Sequence, residues 1–400
     1  MSAGAVVRLS ETGEVPAPPL TPEQRGALVR SGCVKVRAAA DGGWLLSADG
    51  SVGVIRVGDL EVRIDPKVPI ARLFFLLGYA KRIDWRPELV SVGARDRLLP
   101  AVAGVLARLS DRATAQGLLQ GYRVVHETGP TLRGRIRAAD QLARHLGRFP
   151  PLELECDQFG PDIPENQILR AAAARMRHLP AIAPAVSATL RQQDRKLRDV
   201  TVLTPGQRPP RWRPDARNGR YQPALAVAEL VLRGTSVEFA TGTVAVHGFL
   251  VQMPAVFESF LETSLREALR RHGGVLRGQD TAHHLDAARR VPLRPDLVWW
   301  VDDRPAAVID AKYKAVGAAY GEDVRHADLY QMLAYCTALN LRRGHLVYAN
   351  EPGDLPTHRV RHRDIDIHCH GLNLDQEPEP LLRDVAALAE KIAGGAERPR

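Results

Sequence analysis

Residues 294–314 read RPDLVWWVDDRPAAVIDAKYK, and this stretch limits the possible fold more than any other part of the chain. Leu297 to Val301 is an unbroken apolar run, Pro305 to Ile309 is a second, and Asp302, Asp303 and Arg304 lie between them. Short apolar runs bounded by turn residues predict two buried strands joined as a β-hairpin. Side chains alternate faces along a strand, so Asp310 and Lys312 point the same way at the end of the second strand. Asp296 opens the first strand and lies at the same open end. A carboxylate that closes an apolar run is half-buried, where its charge is costly without a partner. Two carboxylates and an ammonium converging at a sheet edge suit a hard divalent cation, with the lysine near an attacking water or the charge growing on a phosphate.

Pro-Asp, thirteen intervening residues, then Asp-Ala-Lys is the signature of PD-(D/E)xK nucleases in its simplest spelling. An ordinary hairpin with solvated charges carries the same letters, so the pattern is weak by itself. Lysine usage adds to it. The chain has seven lysines against a large arginine excess, and two of them, Lys312 and Lys314, stand at this strand end.

The 400 residues are too many for one typical core and predict two or three domains. A hydrophobic share of 45% with 25% charged residues is that of an ordinary soluble protein, and the net charge of +9 favours a polyanionic partner. Cys33, Cys156, Cys336 and Cys369 are scattered without a pairing motif, which suits a reducing compartment. With no signal-like opening and no apolar run of bilayer length, a cytoplasmic location away from membranes is expected.

Along the chain, residues to about 22 read as a loose arm with one early strand at Ala5 to Leu9. The segments VKVRA, WLLSA, SVGVIRVG and LEVRI then alternate as strands between Gly and Asp-Gly turns, closed by Asp65-Pro66-Lys67 and a helix from Ile70 to Ala80. Helical periods follow near 97–121, 136–146, 164–179, 183–198 and 223–233. Within them, Leu132 to Ile136 is either a phosphate-contacting loop or a turn, and Asp162 to Asn166 suits a helix N-terminus. The connector at 205–221 interleaves Arg211 and Arg213 with Trp212 and Tyr221; it is a linker or a grip on nucleic acid, with Lys314 a further contact. An amphipathic helix from Pro254 to Arg271 carries Glu258 and Glu262, of which Glu258 is the better third acid for the hairpin. A helix from Glu322 to Arg343 lines Asp328, Gln331 and Tyr335 along one face, where the amide and the phenol could orient the lysine or a phosphate. Leu346 to Tyr348 reads as a core strand and Arg359 to His370 as a last polar one. A zinc site from His362, His368, Cys369 and His370 with His283 and His284 is rejected, because adjacent strand residues face opposite sides and no ligand spacing fixes the geometry. No GxxxxGK sequence occurs, so no nucleotide is expected on this chain itself.

In order, IDPKV before RLFFLLGYA, GLLQGYRVVHETGPTLRGRI, DQFGPDIPENQILRAA, YQPALAVAELVLRG, VFESFLE, RPDLVWW with VIDAKYK, and DLYQMLAYC resemble the McrC family, the nuclease subunits of McrBC modified-cytosine restriction systems. The resemblance runs from about residue 50 to 370. It implies Asp296 and Asp310 as ligands of Mg²⁺, for which Mn²⁺ can substitute, Lys312 as the catalytic lysine and Glu258 as an accessory acid. Gln331 and Tyr335 match the Gln-x-x-x-Tyr pattern that follows the lysine in many such nucleases. It also implies modified DNA as substrate and a GTP-hydrolysing AAA+ ring of the McrB type as partner, docked and stimulated through the N-terminal β domain. The expected fold is α/β overall: a small β domain over 1–66, a mainly helical middle region over 67–235, a PD-(D/E)xK restriction-endonuclease-like α/β domain over 236–372 and a helical tail over 373–400. Two other readings stay open, a non-catalytic activator of an AAA+ ring and a stand-alone structure-specific nuclease.

Overall fold

Among the described residues, strand pairing gathers the apolar runs into four sheets of a mixed α/β protein. The computed structural model describes residues 5–11, 13–80, 98–177, 182–204, 207–233, 240–241, 244–313, 322–350 and 354–395. By contact the chain divides into two compact units, Met1–Leu98 with Phe239–Arg400, and Leu99–Glu238.

In the first unit, a five-stranded sheet runs in the order Val6–Ser10, Leu60–Asp65, Ser51–Val57, Val244–Gln252, Ala240–Thr241. The early segment that reads as a loose arm is therefore tied down. Val6–Ser10 pairs in parallel with Leu60–Asp65, and Leu9 is buried; its partner lies fifty-five residues away by register, Leu9 against Ile64, so no local pattern announces it. Gly53 permits the pairing with Val244–Gln252, since a Cβ there would stand 2.1 Å from the Phe249 carbonyl oxygen. A small sheet of Glu14–Pro16, Trp44–Ala48 and Val34–Ala38 and a helix, Pro22–Ser31, complete this region. That helix starts in a capping box between Thr21 and Gln24.

The hairpin forms as expected and sits near the edge of a six-stranded sheet, in the order Val275–Gly278, Leu297–Val301, Arg304–Lys312, Arg343–Ala349, Asp366–Leu372, Asp354–Arg359. Asp302 and Asp303 both adopt left-handed backbone, so the turn is two residues long and Arg304 already pairs with Val301. Arg304–Lys312, Arg343–Ala349 and Asp366–Leu372 are parallel and covered on both faces, which explains why the strand VID is apolar without alternation. Helix Glu322–Leu339 covers the face bearing Val308, Leu346, Tyr348 and Cys369. Gly344 lets it approach: a Cβ there would lie 2.4 Å from Met332 Sδ and 2.7 Å from Cys336 Sγ. The last polar strand is in fact two, Asp354–Arg359 and Asp366–Leu372, folded back on each other. Helices Met253–Leu269 and Pro378–Gly395 pack together against the same sheet, and Phe75 and Tyr79 of helix Ile70–Ala80 set their rings edge-on to Phe260.

The second unit holds helices Leu98–Thr114, Ala138–His145, Pro164–Arg177, Pro184–Lys196 and Gln222–Arg233. The helix expected to reach residue 121 stops at Thr114. Gly121–Gly129 is instead a strand, paired with Leu152–Gly160, which also pairs with Arg135–Ile136. This sheet escaped the periodicity because its polar residues are spent across strands, as in Thr128 on Glu153 (3.0 Å) and His126 on Glu155 (3.3 Å), while Tyr122 and Val124 stay exposed. No helix among the described residues is long and apolar enough to cross a membrane.

Candidate active site

Asp310 and Lys312 leave the same face of strand Arg304–Lys312, and each is there for a reason the strand supplies. The apolar run buries Asp310 to 2% exposure, and Lys312 folds back over it as an ion pair between Nζ and Oδ2. Asp296, at the mouth of the hairpin, accepts the Ala311 backbone N–H on Oδ2 at 2.8 Å, so its carboxylate is fixed beside the strand that carries the other two groups. Helix Glu322–Leu339 supplies the rest. Gln331 Oε1 accepts from Lys312 Nζ at 2.8 Å, Gln331 Nε2 donates to Tyr335 Oη at 2.7 Å, and Tyr335 Oη donates to the Arg294 carbonyl at 3.0 Å. The lysine is therefore held by a relay that ends on the backbone two residues before Asp296.

Asp328, one turn earlier on that helix, is a third buried carboxylate. It is 3% exposed, its Oδ1 lies 3.7 Å from Lys312 Nζ, and its Oδ2 accepts from Tyr348 Oη at 3.3 Å. Glu258 approaches from helix Met253–Leu269. Its Oε1 accepts from Gln279 Nε2 at 2.8 Å, and Gln279 in turn donates its backbone N–H to the Asp296 carbonyl at 2.7 Å. Glu262, the alternative third acid, pairs with Arg266 and lies against Gly278 instead.

The charges answer one another. Burial, then the neighbouring Asp310 and Glu258 charges, push Asp296 up to about 7 despite the Ala311 N–H and Lys312. For Lys312, burial pulls the amine down, but Asp310, with Asp328 and Asp296 behind it, outweighs that and holds it above its ordinary value, firmly protonated. Burial and the Asp310 charge lift the Tyr335 phenol to about 12, so it stays a neutral donor. Among the described residues no group of three or more His, Cys, Asp or Glu side chains forms a metal-holding set. Glu258 is bonded to Gln279, so a cation would rest on the two aspartates. The pair suits it: two crowded carboxylates, one of them losing its proton only near neutral pH, are oxygen donors short of positive charge, as a hard dication requires.

Residues 46–349 match the family described as McrBC 5-methylcytosine restriction system component. The chain belongs to this family. Among solved structures, a chain of the refined half-complex from the tetradecameric assembly of Thermococcus gammatolerans McrB AAA+ hexamers with bound McrC is similar in fold, with a TM-score of 0.61 at 17% identity, covering 97% of this chain and 100% of that one. A chain of the cryo-EM structure of the Thermococcus gammatolerans McrBC complex aligns at a TM-score of 0.41 and 17% identity, over 66% of this chain and 88% of that one. No curated protein matches.

In this McrBC-family chain the structure brings together Asp296, Asp310, Lys312, Gln331 and Tyr335, with Glu258 joined through Gln279. Arg211 and Arg213 belong to the other unit and are exposed, while their aromatic neighbours are turned to protein: Trp212 donates to Glu229 at 2.7 Å, and Tyr221 is fully buried, its hydroxyl accepting the Leu119 N–H at 2.9 Å. Lys314 lies outside the described residues. Asp162 has a structural partnership, accepting from Thr201, Gln167 and Arg123. In the sequence Asp328 falls on the same helix face as Gln331 and Tyr335 with nothing to mark its role, and Gln279 is not marked at all. The signal for Asp328 was its place in front of Gln331 on that face; Gln279 carries none, since only the return of the chain to Asp296 gives it meaning.

Proposed function

We propose that this chain is the DNA-cleaving subunit of a McrBC-type restriction system and hydrolyses DNA phosphodiesters with Mg²⁺. The observation that carries the reading is the buried Asp310–Lys312 ion pair with Asp296 beside it, a costly arrangement that a plain scaffold has no need to keep. Asp296 and Asp310 would hold Mg²⁺ (or Mn²⁺), and Glu258 stands in reserve behind Gln279. When bound, such an ion polarises the scissile phosphate and lowers the pKa of a coordinated water. Lys312 presents a fixed positive charge where charge builds on the phosphoryl oxygens or where the attacking water must be oriented. Gln331 and Tyr335 keep the amine aimed, and Asp328 counters it from the far side, so no reorganisation is needed as the reaction proceeds.

The partner in this reading is an AAA+ GTPase ring of the McrB type, by analogy with the McrB AAA+ hexamers with bound McrC, one chain of which shares this fold, and the N-terminal sheet is the part proposed to dock to it. Modified DNA is the substrate and the nucleotide is hydrolysed on the ring. The test is cleavage of methylated and unmethylated plasmid with Mg²⁺ by the chain alone and by the chain with its AAA+ partner and GTP. Cutting of methylated plasmid in the complete mixture only, lost in Asp310→Ala, is expected. Cutting by the chain alone would favour a stand-alone nuclease, and GTP hydrolysis stimulated without any cut would favour a non-catalytic activator.

A further inference from the structure

Between strands Val275–Gly278 and Leu297–Val301 the chain leaves the sheet and returns as a narrow finger. Its base is closed by the Gln279 N–H on the Asp296 carbonyl (2.7 Å), its shaft by Leu293 N–H on His283 O (2.8 Å) and Leu285 N–H on Val291 O (2.9 Å). The tip is closed by Asp286, whose Oδ1 accepts the backbone N–H groups of Arg290 (2.9 Å) and Val291 (2.8 Å). The finger is thus preformed, and Arg289, in left-handed backbone, and Arg290 are exposed at its tip.

Two features decide what such a finger is for. Its acids are spent inside it: Asp286 on the tip N–H groups and Asp280 on the Ala282 N–H (3.2 Å) and His283. Its cations are not, because neither Arg289 nor Arg290 forms an ion pair among the described residues. The second feature is position. Both feet of the finger are parts of the candidate site, since Gln279 holds Glu258 and the return strand begins with Arg294, whose guanidinium donates to Gln279 and whose carbonyl receives Tyr335. On the outgoing strand Val275–Gly278, Arg277 lies over the Trp300 ring of the return strand at 4.7 Å, a further cation close to the root of the finger.

We infer that the finger at residues 279–295 is the phosphate-gripping element of the DNA site, with Arg289 and Arg290 contacting the duplex backbone while Arg294 sits where the strand enters the acid pair. The inference rests on the nuclease reading, and it moves the main DNA contact away from Arg211 and Arg213. A hairpin rooted in the acidic centre, with guanidinium groups at its tip that form no ion pair among the described residues, solves a problem the centre creates: Asp296, Asp310 and Asp328 repel a polyanion, and cations held out from the centre by the finger give the phosphate backbone a grip away from that repulsion.

The test is duplex binding by the full chain, followed by fluorescence anisotropy with Ca²⁺ in place of Mg²⁺ at several salt concentrations. Each phosphate contact contributes about 0.9 to the slope of log affinity against log salt. The double variant Arg289→Gln, Arg290→Gln should lose about 2 from that slope and bind on the order of tenfold more weakly at moderate salt, with an unchanged melting temperature. Arg289→Lys, Arg290→Lys should keep most of the slope. Arg211→Gln, Arg213→Gln should lose less than the finger variant. A wild-type slope in the double glutamine variant overturns the inference, as does a wild-type chain that does not bind duplex at low salt. Loss of association with the AAA+ partner at unchanged DNA affinity also overturns it and makes the finger a protein contact. Asp310→Asn separates the two readings: it should bind DNA with the wild-type slope yet not cut, so cleavage by that variant sinks the nuclease assignment and leaves the finger to be judged on its slope alone.

Discussion

Two polar clusters are buried on opposite faces of the same parallel strands, and they solve burial in opposite ways. On the face toward helix Glu322–Leu339, Asp310 shares a row with Leu346 and Cys369 and keeps its charge, matched by Lys312. On the other face, His345 pairs in register with Ile309 and His368. It is 3% exposed, stacks on the rings of His368 and His370 at 5.3 Å each, and shares a hydrogen bond with His370 at 3.1 Å. Burial, then the neighbouring imidazoles and Arg343, hold His345 well below its ordinary pKa, so it stays neutral. A buried side chain that has given up its charge behaves as core. One that keeps it against the desolvation cost, ringed by groups that aim it, is where chemistry is expected. The zinc ligands weighed from sequence do not gather either: among the described residues no three His, Cys, Asp or Glu side chains form a metal-holding group, and His370 shares its ring nitrogen with His345.

The contrast can be broken in four ways. The largest effect belongs to Asp310→Ala, which should lower cleavage on the order of 10²–10³-fold or more while the chain still folds and joins its partner; co-purification and plasmid cutting check both. His345→Ala should do the reverse, destabilising by about 2–4 kcal/mol in urea unfolding through the cavity and the stranded His370 nitrogen, with cleavage at a permissive temperature unaltered. Asp328→Asn keeps an acceptor for Tyr348 but removes the charge behind Lys312, and should slow single-turnover cleavage roughly tenfold, the size of one contact to a charged group. If Asp328 acts through the lysine, the same change should have no further effect in a Lys312→Gln background. The smallest effect is on pH and stability. Asp296 has a folded-state pKa of about 7, above its unfolded value, so the native state binds the extra proton and stability is lost as pH rises through 7. Asp296→Asn should therefore raise the melting temperature at pH 8 and change it little at pH 5. His345 has the opposite sign: its depressed folded pKa gives stability that is full above about 6.5 and is lost as pH falls. Thermal melts of both variants against wild type across this range read the two signs separately.

The hairpin was legible because its information is local. Two apolar runs, two aspartates able to adopt left-handed backbone, and an alternation that sets Asp310 and Lys312 on one side are all within residues 296–312. The Gln331 and Tyr335 pair was legible for a similar reason, since helical spacing alone stacks them on one face. What could not be read depends on distant pairing: Val6–Ser10 finding Leu60–Asp65, Val244–Gln252 joining the N-terminal sheet, and Gln279 returning to Asp296. The sheet at 121–160 was missed for a different reason, because its exposed face carries Tyr122 and Val124 and its charges are paired across strands, which erases the contrast between an inner and an outer side. The interleaved Trp212 and Tyr221 show the same limit, as an aromatic beside an arginine looks alike in sequence whether it faces a nucleobase or Glu229.

The most direct test is single-turnover cleavage of a methylated plasmid by the chain assembled with its AAA+ partner, GTP and Mg²⁺, in three forms: wild type, Asp310→Asn and His345→Ala, at a temperature where all three are folded. We expect the wild type and His345→Ala to cut alike and Asp310→Asn to leave the plasmid intact. Cutting by Asp310→Asn at the wild-type rate would contradict the assignment of the charged cluster as the seat of hydrolysis.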